Sequence, residues 1–233
     1  VMTVQRRASG NGMVTAGAVI GIACCYPAFG WLMDKLSWQW AFVASGSMLI
    51  AYALLWRLLA SPSLPRPKPS TTETTSTPAR TDTSRPVRSL LRQGNLWLLT
   101  LSYAAFSYFQ YLFFYWIDYY FKDVLEVPAI EARWASFWIM LAMGFGMVAG
   151  GRCCDALCGW LGTARGRRTV VVTGMGLGAV FGAIGVNLDG LVNVTVALAI
   201  SMAAMGMCDG VFWTTATDIG GKSRGFSGAF MNT

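Results

Sequence analysis

This sequence predicts an all-α fold, a polytopic transmembrane helical bundle. Three observations carry the prediction. Only 12% of the 233 residues are charged while 55% are hydrophobic, about half the charge of a soluble domain. Apolar runs close to the ~20 residues that span hydrocarbon recur along the chain. The basic residues gather at alternate ends of those runs, the pattern of membrane topology. A count of 26 Gly suits helices whose backbones cross closely in lipid.

The first span is expected at residues 12–32. Gly17 and Gly21 form a small-xxx-small pair in it, and Pro27 near its end is a candidate kink. The second span is expected at 40–59. Residues 61–86 differ in kind: Pro, Ser and Thr dominate and nothing apolar repeats. Such a segment buries no core and reads as a disordered linker, here bounded at 61–93. A third span at 96–121 is dense in aromatic residues, and a fourth follows at 134–150. The run GGRCCDALCGWLGTARGRR is expected to be a basic loop, followed by a fifth span at 169–186 and a sixth at 191–217. Residues 218–224 form a loop and 225–233 open a seventh helix. The chain reads as the interior of a longer polypeptide. Its domains are 1–60, two helices of a first half; 61–93, the linker; and 94–233, a second helical half.

With the N-terminus inside and the spans alternating, all of the 18 Lys and Arg except Lys35, Lys122 and Arg133 fall on the inner side. The positive-inside rule then makes the linker and the basic loop cytoplasmic. A multi-pass protein of the plasma (inner) membrane follows. The same accounting absorbs the +7 net charge, so nucleic acid is not an expected partner. Six Cys and no His leave no zinc pattern, no His-based triad and no metal cluster. The thiols read as free and packed in apolar surroundings. No nucleophile–base pair stands out, so an enzyme is not expected, and no cofactor is called for.

One ionisable residue lies within the sixth run, Asp209, with Trp213 one turn later and Thr214 and Thr215 beside it. A charge in a span is costly and is a functional hypothesis by default. Three roles are open to it: proton carrier, partner of a cation on another helix, or hydrogen-bonded structural acid. It lies roughly 17 residues into the run, about 25 Å at 1.5 Å per residue, past the midplane.

Two helices, a long linker and a new set of helices resemble the middle of a major facilitator superfamily transporter. Gly151, Asp155, Gly162, Arg165, Gly166, Arg167 and Arg168 resemble that family's signature G-x-x-x-D-x-x-G-R-R in its second-half copy, with extra residues before the arginines. The spans then correspond to family helices five to ten, with the chain stopping at the start of eleven. The first span is similar to the Gly/Pro-rich motif of helix five, although Ile22 stands where that motif has Pro after Gly21. SWQWAFVASG, YFQYLFFYWIDYYF and FWTTATDIGGKSRGFSGAFMNT resemble the anion:cation symporter group, which carries hexuronates, aldonates and other organic anions.

The resemblance implies a secondary transporter of a small organic anion such as a sugar acid. It implies alternating access, proton or sodium symport and a monomer in the lipid bilayer. An exchanger, a neutral-solute carrier or a non-transporting membrane sensor is the alternative. Substrate would bind near the midplane between two rocking halves. Tyr108, Tyr111, Tyr115 and Tyr119 recur at spacings of three and four and share a helix face, with Gln110 pointing elsewhere. Their hydroxyls and rings suit a sugar acid; the other reading is a lipid-facing aromatic face with interfacial tyrosines. Trp213, Thr214 and Asn232 match positions where the family lines its pocket. Asp155, Arg165, Arg167 and Arg168 are implied to gate the cytoplasmic side, or serve only as a positive-inside anchor. No Lys or Arg lies mid-membrane in these spans. The resemblance places the substrate-binding arginines and proton-coupling acids on helices one and four.

Overall fold

The computed structural model describes residues 7–59 and 90–233. It is helical throughout: α1 (Arg7–Lys35), α2 (Trp38–Leu59), α3 (Gly94–Tyr119), α4 (Ala129–Leu161), α5 (Thr163–Gly185), α6 (Leu191–Gly220) and α7 (Arg224–Met231). The expected linker residues 61–89, and Arg6, lie outside the described residues. Five helical runs are long and apolar enough to cross a membrane: α1, α2, α4, α5 and the stretch Leu191–Met231. At 26 residues α3 also has the length, about 39 Å; its tyrosines and other polar side chains lower its hydropathy.

The described residues divide into two units, 7–28 with 90–233, and 29–59. In the smaller unit Phe29 meets Phe42 edge-on at 5.1 Å, and α2 buries only Ala41. In the larger unit α4 and α6 form the most extensive helix pair, with α5 against α6 and α1 along their surface. Its core is rich in methionine and phenylalanine, including Met140, Met143, Met147, Met202, Phe106, Phe121 and Phe212.

Glycine brings α4 and α6 together. A Cβ on Gly146 would strike Ala203, one on Gly150 would strike Met207, and one on Gly206 would strike the Met143 carbonyl. On α5, Gly174, Gly178 and Gly182 make a stripe one turn apart that receives α6 side chains: Cys208, Met205 and Ser201 in that order. Lipid supplies no hydrophobic drive between helices, so such close contact is what holds them. The Gly17–Gly21 pair does not serve this purpose, since nothing lies within 4 Å of a Cβ at either position. The packed face of α1 is instead the stripe Ala8, Gly12, Ala16, Val19 and Ala23.

Three expectations change in detail. Residues 90–93, assigned to the linker by composition, make a turn onto α3. Leu90 is buried there, and Trp97 Nε1 donates to Leu91 O at 2.8 Å. The basic loop after the fourth span is not a loop, because α4 runs on to Leu161. Cys154, Leu157 and Cys158 on that extension are covered by Ala8, Val170 and Val211, so its apolar side is buried. The only break before α5 is Gly162, at φ 83, a left-handed value that favours glycine. Lastly, α3 closes in a π-helical turn, Tyr120–Val124, with Lys122 Nζ 2.6 Å from Asp118 Oδ2.

These contacts predict that Gly206→Leu overpacks the α4–α6 crossing by about 1–3 kcal/mol or more, lowering the melting temperature of the detergent-solubilised protein. Gly176→Leu, at a position with nothing within 4 Å, is the matched control and should not lower it.

Candidate functional site

Two polar groupings stand out in the larger unit, one at the arginine-bearing end of the bundle and one along α6. At the first, Asp155 Oδ2 accepts from the Ser9 backbone N–H at 3.0 Å and from Ser9 Oγ at 2.5 Å. A carboxylate on first-turn donors suits the positive end of a helix dipole. The contact exists because Gly151 lets the backbones close up: a Cβ there would stand 2.7 Å from Ala8 O and 2.8 Å from Ser9 Cα. Beside it, Asp218 Oδ1 takes Arg7 Nη1 at 3.0 Å and Asp218 Oδ2 takes Arg167 Nη2 at 2.5 Å. All three side chains are between a fifth and a third exposed, so water screens each pair, which contributes at most about 1 kcal/mol. Together the contacts latch the start of α1 to the ends of α4, α5 and α6.

Of the expected gate residues, Asp155 and Arg167 are thus engaged, while Arg165 and Arg168 are exposed on the first turns of α5. Ser9, Arg7 and Asp218 were missed from sequence. Asp218 did carry a signal: an acid in the last turn of a helix opposes the dipole unless a cation answers it.

The second grouping lines α6 and its neighbours. Tyr103 of α3 is buried against Phe106 and Phe212, with its ring 6.3 Å from that of Trp213. Its hydroxyl donates to Asn232 Oδ1 at 3.4 Å. Trp213 is half-buried and lies over Gly228, where a Cβ would be 3.3 Å from the indole. Trp213 and Asn232 are therefore brought together, through a tyrosine that sequence reading did not single out. Thr214 is buried: its hydroxyl donates to Gly210 O at 2.7 Å and accepts from Asn11 Nδ2 of α1 at 3.0 Å. Asp209, one turn earlier, is also buried; Thr15 of α1 and Trp213 stand beside its carboxylate. Its Oδ2 has no hydrogen-bond partner among the described residues.

Tyr108, Tyr111 and Tyr115 do share a face, and that face is open, at 71%, 52% and 74% exposure. Tyr111 stacks on Tyr115 with centroids 5.8 Å apart. Gln110 turns the other way, its Nε2 3.9 Å from Met143 Sδ. Phenol hydroxyls, an indole and an amide are groups that hydrogen-bond oxyanions and hydroxyls and stack on apolar faces.

A polytopic helical bundle with apolar helices of spanning length and an ionic latch at one end has the build of a multi-pass membrane protein. The whole chain, residues 1–233, matches the Major Facilitator Superfamily, and it belongs to that family. It is a multi-pass membrane protein. A hexuronate transporter of Bacillus subtilis is 25% identical over 97% of this chain and 54% of its own length. A probable sulfoacetate transporter of Cupriavidus necator is 24% identical over 100% of this chain and 56% of its own. A D-galactonate transporter of Escherichia coli is 36% identical over 22% of this chain and 12% of its own. The chain spans about half the length of the first two.

Loss of the cap should loosen the latch. Cys154 packs with Ala8 beneath the start of α1 and is 1% exposed, so it reports opening. Asp155→Ala removes about 1 kcal/mol, roughly a fivefold change in the open fraction. Mass spectrometry of maleimide-treated protein should show Cys154 labelled several-fold faster; an unchanged rate would mean that the cap does not hold α1.

Proposed function

We propose that the protein is a secondary transporter that carries a small organic anion, a sugar acid or similar carboxylate, by alternating access with proton or sodium symport. The observation that carries this reading is the latch: α1 joins α4, α5 and α6 through Asp155–Ser9 and Arg7–Asp218–Arg167. Contacts that are individually weak and solvent-screened can be made and broken as two halves rock. Asp155 and Arg167 then hold the cytoplasmic side closed. Arg165 and Arg168 lie beside them, where a second arrangement of the helices can engage them. The arginine-bearing end and the linker are cytoplasmic, in the plasma membrane, and the protein works as a monomer.

Substrate chemistry is supported by the names of the relatives, all carriers of carboxylates or sulfonates. Trp213 and Asn232 supply one wall of the pocket, with Tyr103 holding them together. Tyr108, Tyr111 and Tyr115 face it from α3, and Thr214 supports the wall through Asn11. An exchanger or neutral-solute carrier is the second reading. It is favoured by the lack of any Lys or Arg in α3 and α6, because a buried anion calls for a cation.

Uptake of galactonate, glucuronate and sulfoacetate into proteoliposomes of the full-length protein tests this. A pH or sodium gradient should drive accumulation of at least one of the three, and Trp213→Ala should raise its KM by about tenfold. Accumulation of none of them under either gradient would refute organic-anion symport. Counterflow without any gradient effect would establish the exchanger.

A further inference from the structure

The seam between α1 and α6 encloses an acid with Thr15 and Trp213 beside it and no cation among its described neighbours. Asp209 is 4% exposed, and its Oδ2 is buried without a hydrogen-bond partner among the described residues. From α1 come Asn11 and Thr15. The Asn11 amide is committed to Thr214 Oγ1 at 3.0 Å, and the single Thr15 hydroxyl proton also has Asn11 O at 3.0 Å to satisfy. From α3 comes Tyr103, and from α6 itself Trp213 and Cys208. Where α4 and α5 meet this part of α6, they present Gly150 and Gly174, and α7 presents Gly228 to Trp213. Tyr103 and Cys208 are thus the titratable groups facing the acid. No Lys or Arg is among its described neighbours, and Arg7 and Arg167 are taken by Asp218.

An ionised carboxylate here would give up its hydration with no cation in return. A neutral carboxylic acid leaves only one hydroxyl short of an acceptor, a much smaller loss. Among the described residues no second carboxylate, thiol or imidazole joins Asp209 in a group that could hold a metal cation. The oxygen set is also too small to replace a hydration shell.

We propose that Asp209 is a proton-binding site of the α1–α6 seam, occupied while α1 lies closed on α6 and emptied to water when the seam parts. Closing the seam then takes up one proton and opening it releases one. The site stands on the packing alone; its use in coupling rests on the transport reading given above.

Infrared difference spectra of the full-length protein in lipid nanodiscs, recorded as pH is cycled, test the site without any substrate. Wild type should show a carboxylic-acid C=O band that persists at neutral pH and is absent from Asp209→Asn. If that variant fails to assemble, Asp209→Glu keeps the acid and should move the band to a new frequency. A neutral-pH spectrum with no band that either substitution removes or moves overturns the proposal. In proteoliposomes, Asp209→Asn should lower the ratio of pH-driven uptake to exchange by about tenfold, and an unchanged ratio overturns the coupling role. Failure of wild type to carry any carboxylate would count against the transport reading, while the infrared band still decides the site.

Discussion

Backbone-to-backbone contact at glycine is the constraint on which the larger unit depends. Gly12 of α1, Gly151 of α4 and Gly210 of α6 converge so closely that a Cβ on any of them would press on a neighbouring backbone. That approach is what puts Ser9 on Asp155, Asn11 on Thr214 and Thr15 beside Asp209. The hydrogen bonds are thus downstream of the packing. Without the close approach the same side chains would not reach, and in lipid no hydrophobic drive would restore it.

The polar contacts along this crossing grade from wet to dry. The pairs of Asp218 with Arg7 and Arg167 are partly exposed and screened. Asp155 is half-buried, and Asp209 and Thr214 are buried. An opening that starts at the arginine end meets the cheapest contacts first and water follows it inward. The most costly group to leave unpaired, Asp209, is the last to be wetted. Such a gradient lets α1 part from its neighbours in steps rather than in a single large one.

Much of this was legible in the sequence, for identifiable reasons. The apolar runs and the segregation of Arg and Lys follow from what a bilayer demands of composition, while the residues around Asp155 were legible only through their resemblance to the family's signature. Spacing alone could not say which glycines touch. Gly17–Gly21 and Gly174–Gly178 have the same pattern, and only the second pair has a helix against it. Tyr103 escaped notice because it lies off the face shared by Tyr108, Tyr111 and Tyr115, so its burial depends on Phe212 and Trp213, remote in sequence. The charged stretch after the fourth span looked like a loop because its residues are polar. Its helicity depends on Ala8 and Val211 covering one side, which is tertiary information.

Gly162 turns that last feature into a mechanical one. With a single left-handed residue between α4 and α5, the two helices meet at a rigid corner rather than a tether. The angular position of Arg167 is therefore geared to the end of α4. One residue added or removed at the corner rotates α5 by about 100°, the turn per residue of an α-helix. That would swing Arg167 away from Asp218 and carry Arg168 or Gly166 into its place. The corner works as a phase setter between the helix that bears the capping acid and the helix that bears the arginines. Its length is constrained as well as its residue type.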